Sequence, residues 1–298
     1  MAGCILPRPP ASTTSARDLP AGSPVELEPY ATLQPEAIDE SSGIVRSRAY
    51  PGVYWTLNDS GGEAALYPVT LEGKDIRTAW AIENDAPYSG MAVVDAQNID
   101  WEDIAIDDAG HLIIGAFGNN RNHRRDLALY IVPEVHPDFA WKTRAIRRID
   151  FHYPDQDAFP PKDRNFDGEA LFHANGKNYL LTKHRSDTRT KLYRMDQTDG
   201  GRSNPLTLLD DFDIGGMVTA ADVSADGKRL LVLTYGAIWL FEVDAGSDAY
   251  FHGRISRLPI RAGQCEAIAW IDEHSFVITN EQRDIFRIEA DRLIPMAP

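Results

Sequence analysis

Three glutamates in this 298-residue chain stand at the start of short apolar runs that read as buried strands. Glu102 opens Glu102-Asp103-Ile104-Ala105-Ile106, Glu169 opens Glu169-Ala170-Leu171-Phe172, and Glu266 opens Glu266-Ala267-Ile268-Ala269-Trp270. Two further copies of the run carry a hydroxyl at the same place, Ser42 and Thr219. A second polar set follows the next apolar run of each copy: Asn58 and Asp59, Asn119 and Asn120, Lys183 and His184, Tyr235, Asn280 and Glu281. Carboxylates brought together repel, and a cation, raised pKa values or a positive side chain must compensate. Lys183 is an internal candidate. Calcium is an external one, since it accepts about six to eight oxygen ligands in loose geometry. The expected calcium set is Glu102, Glu169, Glu266, Asp59, Asn58, Glu281 and Asn280. The plainer alternative is that these groups cap strand ends and bond one another through channel water. The eight histidines are scattered and lack zinc-ligand spacing.

Other chemistry is sparser. Asp163, Asn165 and Asp167 alternate in Asp163-Arg164-Asn165-Phe166-Asp167-Gly168, like the opening half of a calcium loop. The closing Glu of an EF-hand would fall at Ala174 and the flanks read as strand, so the expectation is at most a local calcium turn. Arg121 follows Asn119-Asn120, and Lys183 and Arg185 follow the third copy's second run; these are candidate anion-binding groups. A solvated loop paired with Asp126 and Asp187 is the bland reading of the group around Arg124. No Gly-x-Ser-x-Gly elbow occurs, and no Gly-rich phosphate loop or Cys–His pairing emerges, so no catalytic residue is assigned.

The elements that would hold these groups recur. The five anchors, Ser42, Glu102, Glu169, Thr219 and Glu266, are spaced 47 to 67 residues apart, a period that marks a repeated supersecondary unit. After each anchor comes a turn, such as Asp107-Asp108-Ala109-Gly110 or Ala225-Asp226-Gly227-Lys228. An apolar second strand follows, then a third carrying an aromatic: Tyr67, Tyr130, Tyr193, Trp239 and Phe286. Fourth strands are weaker: Ile76 to Ile82, Arg144 to Phe151, Pro205 to Leu209 and Arg254 to Ile260. The fifth unit ends after its third strand, while Val25 to Leu33 alternates apolar and polar ahead of the first. The expected fold is all-β: a five-bladed β-propeller of four-stranded blades over residues 25–298, with the N-terminal strand closing the last blade. Six blades are the alternative, because the first two spacings are long. In a propeller the first strand of each blade lines the channel, so the anchors should converge.

Several of these segments resemble a family of bacterial extracytoplasmic propellers: Glu40-Ser41-Ser42-Gly43-Ile44, Trp55-Thr56-Leu57-Asn58-Asp59-Ser60-Gly61, Asp100-Trp101-Glu102-Asp103, Gly118-Asn119-Asn120, Asp167-Gly168-Glu169-Ala170 and Gln264-Cys265-Glu266-Ala267. The similarity covers roughly residues 36 to 290. It extends to the SdiA-regulated, calcium-regulated propellers and, at greater distance, to the β-propeller phytases. It implies a propeller outside the cytoplasm. A cation-binding, non-catalytic role is the first expectation, and a metal-dependent phosphoesterase is the alternative. Relatives carry an Asp ahead of the Gly-Asn-Asn segment where this chain has Ala116.

Composition agrees with a soluble propeller. With 43% hydrophobic and 25% charged residues the chain can bury a core. A net charge of -15 argues against non-specific nucleic-acid binding. No run approaches ~20 apolar residues, so nothing spans a membrane as a helix. Met1-Ala2-Gly3-Cys4 resembles the end of a lipobox, which makes Cys4 a lipidation candidate. Residues 1–24 then read as a disordered tether rich in Pro, Ser, Thr and Ala. The expectation is a monomeric periplasmic or membrane-anchored protein, or a cytoplasmic one if Met1 is the true start. Its partner is an unknown small ligand or protein.

Overall fold

The computed structural model describes residues 22–296. It holds five sheets, each with four antiparallel strands that form one blade of a propeller; three of the sheets add short flanking strands. Blade 1 comprises Ser41–Arg46, Tyr54–Asn58, Ala65–Val69 and Met91–Val93. Blade 2 comprises Asp103–Ile106, His111–Ala116, Ala128–Pro133 and Arg147–His152. Blade 3 comprises Asp167–Ala174, Lys177–Lys183, Arg189–Met195 and Thr207–Asp213. Blade 4 comprises Val218–Val223, Arg229–Thr234, Ala237–Glu242 and Arg254–Arg261. Blade 5 takes Cys265–Trp270, Ser275–Asn280 and Asp284–Glu289 from the C-terminal end and Ala31–Thr32 from the N-terminal end. The ring is therefore closed by the chain's own first segment.

Five apolar clusters make the count of blades a packing fact. Each lies between two neighbouring blades: 1 and 2, 2 and 3, 3 and 4, 4 and 5, and 5 and 1. The last joins Ile44, Tyr54 and Tyr67 to Ala267, Val277 and Ile285. Second strands are buried on both faces, which is why they read as unbroken apolar runs. Hairpins such as Asp226-Gly227-Lys228 turn on a glycine at φ +72°, a conformation closed to most side chains. Cys265 packs among the apolar residues between blades 4 and 5, and burial pushes its thiol up to about 12.

Three expectations change. The segment Ile76 to Ile82 is not blade 1's outer strand. Thr78 caps a short helix, Ala79–Glu83, its hydroxyl accepting from the Ala81 N–H (3.2 Å), and the outer strand is Met91–Val93. The outer strands of blades 2 and 3, Arg147–His152 and Thr207–Asp213, start three and two residues later than expected. The N-terminal strand is split: Ala31–Thr32 completes blade 5, whereas Val25–Glu26 runs parallel to the outer strand of blade 4. The tether and Cys4 lie outside the described residues, apart from the last few residues before Val25.

A carboxylate cluster at one mouth of the channel

The repeated anchor is a β-bulge. Strand register slips by one residue at Ser42, Glu169, Thr219 and Glu266, each time at the start of the inner strand. Glu102 is held the same way: its N–H donates to Gly115 O (3.0 Å) while Asp103 also pairs with Gly115. A bulge leaves one residue out of the ladder and re-aims its side chain. The two hydroxyl anchors tie blades together, Ser42 donating to Glu102 O (2.6 Å) and Thr219 to Cys265 O (2.9 Å).

The carboxylates gather around Glu102. Ligand-capable oxygens of Asp59, Asp100 and Glu102 lie within 4.8 Å of one another, and so do those of Glu102, Asp167 and Glu169. Blades 1, 2 and 3 thus contribute to one group. Glu102, Asp167 and Glu169 are buried, and Asp59 and Asp100 lead out toward solvent. Gly118 closes one side. A Cβ there would stand 2.0 Å from Glu102 Oε1 and 2.5 Å from the Asp100 carboxyl carbon, so any larger residue would displace both carboxylates.

Two of the five carboxylates have firm cationic partners. Lys183 Nζ lies 2.9 Å from Glu169 Oε1, and Arg185 lies 2.6 Å from Asp167 Oδ2. Asp167 also accepts the Asn119 N–H (2.6 Å). Arg124 stands 3.9 Å from Asp100, a loose pair. Among the described residues Glu102 and Asp59 have no ion pair. Burial, then Glu169, Asp59 and Asp167, push Glu102 well above its ordinary value. Burial and then Asp100 push Asp59 up to about 7. Lys183 is raised, because Glu169 and Glu266 outweigh the burial that opposes its charge.

Buried oxygens without partners test whether a cation fits. Asn58 Oδ1, Asp59 Oδ1 and Glu169 Oε2 have no hydrogen-bond partner. All are hard oxygen donors, on or next to the residues that carry unbalanced charge. The cluster therefore fits a cation.

The other expected residues fall as follows. Glu266 stands one step round the ring, where its Oε1 accepts the Tyr235 hydroxyl (2.7 Å). Glu281 pairs with Gln264 at the edge of the mouth, outside the two carboxylate triads. Asn280 is not free to ligate, because its amide donates to Ala262 O (2.9 Å) and its oxygen accepts the Asp284 N–H (2.8 Å). Two of the three residues of the expected calcium turn, Asp163, Asn165 and Asp167, have other partners. Asn165 is taken by Ser186 N–H and Asp187 (3.1 and 2.7 Å), and Asp167 faces Arg185. Lys183 and Arg185 turn inward onto carboxylates, while Arg121 stays exposed on its loop. Ala116 is buried in the core between blades 1 and 2.

Asp100 and Asp103 were missing from the expected set. Asp103 is fully buried, and its Oδ2 accepts Leu171 N–H of blade 3 (2.8 Å) and Ala221 N–H of blade 4 (3.4 Å). Its Oδ1 accepts the Ile104 N–H (2.8 Å), so one carboxylate ties three inner strands across the axis. The available signal was three acids in four residues, Asp100-Trp101-Glu102-Asp103, leading into an apolar strand.

No protein-family model matches the chain, and no curated protein matches it. Among solved structures it is similar to U3-55K, with a TM-score of 0.40 and 10% identity over 89% of this chain and 65% of that one. It is similar to the β-propeller domain of Cps50 (Swd1) from Myceliophteria thermophila, with a TM-score of 0.41 and 10% identity over 84% of this chain and 97% of that one. It is also similar to a catalytically inactive virginiamycin B lyase from Staphylococcus aureus, with a TM-score of 0.43 and 12% identity over 84% and 66%. The chain thus spans less than two thirds of the length of the first and third of these.

Proposed function

We propose that the chain is a non-catalytic, extracytoplasmic β-propeller that holds a divalent cation at the carboxylate mouth and presents that face to a ligand or protein partner. The observation that carries this reading is the charge left over. Lys183 and Arg185 balance Glu169 and Asp167, while Glu102 and Asp59 remain beside orphaned oxygens. Two uncompensated carboxylates call for two positive charges. An all-oxygen donor set suits calcium. Asp59, Asp100, Glu102 and Glu169 would hold the ion. Resemblance to extracytoplasmic, calcium-regulated propellers supports the location and the metal, with Cys4 as the lipid anchor. The phytase-like alternative calls for basic groups free to grip phosphate, and the occupation of Lys183 and Arg185 by carboxylates weighs against it.

The test is the unfolding midpoint in millimolar calcium, in magnesium and in excess chelator, with elemental analysis of the purified protein. A ligand at about 100 times its Kd stabilises by about 2.7 kcal/mol. At about 2.1 cal/mol/K per residue, that moves the midpoint of a 298-residue chain by about 4 °C. A rise with calcium supports the proposal. No shift in a protein that elemental analysis finds free of metal refutes it.

A further inference from the structure

The inner strands have a second end. There the channel opens into a cavity of about 460 Å³ whose lining includes Arg46, Arg48, His173, Asp222, Arg229 and Trp270. Its wall takes the C-terminal ends of all five inner strands, whereas the carboxylate cluster sits at the N-terminal ends of those of blades 2 and 3, with Asp59 from the end of blade 1's second strand. The two mouths have opposite chemistry.

Three guanidinium groups line this second mouth, and main-chain carbonyls hold each of them. Arg46 donates to Ile271 O, Arg48 to Asp107 O (2.8 Å) and Arg229 to Glu273 O (2.6 Å). Arg229 also lies over the Trp270 ring, 4.6 Å from its centroid. A carbonyl orients a guanidinium without cancelling its charge, and a single bond leaves most of its donors free. Among the described residues Arg46 and Arg229 make no ion pair with a carboxylate, and Arg48 has only a loose one with Asp108 at 3.7 Å.

Of the three acids on the wall, Glu273 is exposed and the other two are turned to backbone. Asp222 accepts the N–H groups of Val223 and Trp270, both at 2.8 Å. Asp272 accepts those of His274 and Ser275, also at 2.8 Å, together with the Ser275 hydroxyl at 3.1 Å. Oriented cations therefore face the cavity while these carboxylates are engaged at its wall. That arrangement is unexpected in a chain of net charge -15.

We propose that this mouth is a binding site for a small oxyanion-bearing ligand, phosphate or carboxylate, gripped by Arg46, Arg48 and Arg229. Forked guanidinium donors match the paired oxygens of both groups. The site is separate from the cation cluster and does not depend on it.

Calorimetric titration of the full chain tests this, with inorganic phosphate in one arm and succinate in the other. Ionic strength is held constant and chelator excludes calcium. Saturable binding at one site per chain is expected. Its affinity should fall ten-fold or more in Arg46→Gln and in Arg229→Gln. Arg48→Gln alters an exposed side chain on a turn, and a loss there identifies the site even if a deeper variant misfolds. Arg121→Gln, on the other side of the channel, should bind as wild type does. Phosphate alone, succinate alone or both being bound names the ligand class within the proposal. No saturable heat from either anion overturns it, and so does equal binding by wild type, Arg48→Gln and Arg229→Gln.

Discussion

Replacing Glu102 by Gln separates a cation site from a merely structural carboxyl, because the two effects of the change have opposite signs. Glu102 belongs to both carboxylate triads and has no cationic partner among the described residues. Its folded pKa is raised above the ordinary 4.5, so the native state keeps a proton that the unfolded chain releases. Stability from this group is complete below pH 4.5 and falls as pH rises toward the folded value. Above that range the buried carboxyl costs stability, whether it holds its proton against solution or ionises beside Glu169 and Asp167. Gln has the shape of the protonated acid and carries no such cost. In chelator, Glu102→Gln should therefore raise the midpoint at pH 7, and should raise it less at pH 4. In calcium the gap should narrow or close, because on the proposed reading the variant lacks a shared ligand and gains none of the wild-type shift. The assay is thermal unfolding by circular dichroism at both pH values, with and without calcium. A variant that melts below wild type in chelator at pH 7, or that keeps the full calcium shift, refutes the reasoning.

Three further outcomes follow from the same geometry. Gly118→Ala places a methyl 2.0 Å from Glu102 Oε1, so the carboxylate must move and the calcium-induced shift should shrink by more than half in a thermal melt. On the proposed reading calcium displaces the proton of Asp59, whose pKa burial pushes up to about 7, so the calcium-induced shift should be larger at pH 8 than at pH 6. Asp103→Ala leaves N–H groups of Ile104, Leu171 and Ala221 unpaired at the axis. It should destabilise by about 3–5 kcal/mol in urea unfolding, in calcium and in chelator alike.

The blades were legible because their signal is local. Second strands are apolar on both faces, and hairpin turns carry Gly, Asp and Asn at fixed offsets, whatever the rest of the chain does. The acidic anchor was legible because Glu at the head of an apolar strand is rare and recurs. Its cause was not, since a bulge is a register slip between two strands and leaves no mark on one. The inward turn of Lys183 follows from its pairing opposite Asp167, a register that composition does not encode. Asp103 was passed over because its partners come from blades 3 and 4, more than sixty residues away. Ile76 to Ile82 misled because a short apolar run suits strand and helix equally, and the Thr78 cap decides between them.

Each outer strand is touched by a segment from the following blade. Lys142–Thr143, just ahead of blade 2's outer strand, runs parallel to blade 1's edge, and Asn204–Pro205, ahead of blade 3's, does the same for blade 2. The short turn Tyr250–His252 precedes blade 4's outer strand and sets His252 2.9 Å from Asp210 of blade 3. Val25–Glu26 leads blade 5's outer strand and grips blade 4, and Gly73 O of blade 1 accepts the Gln34 N–H (2.8 Å) beside blade 5. The ring is a chain of clasps that all point the same way, each blade fastening the one before it. Clipping the polypeptide between Thr32 and Ser41 would leave the closing segment held to blades 4 and 5 by its hydrogen bonds alone, while a cut in a single hairpin turn leaves every clasp joined to its own blade. A protease confined to exposed turns would then leave the disc standing as a nicked but intact ring.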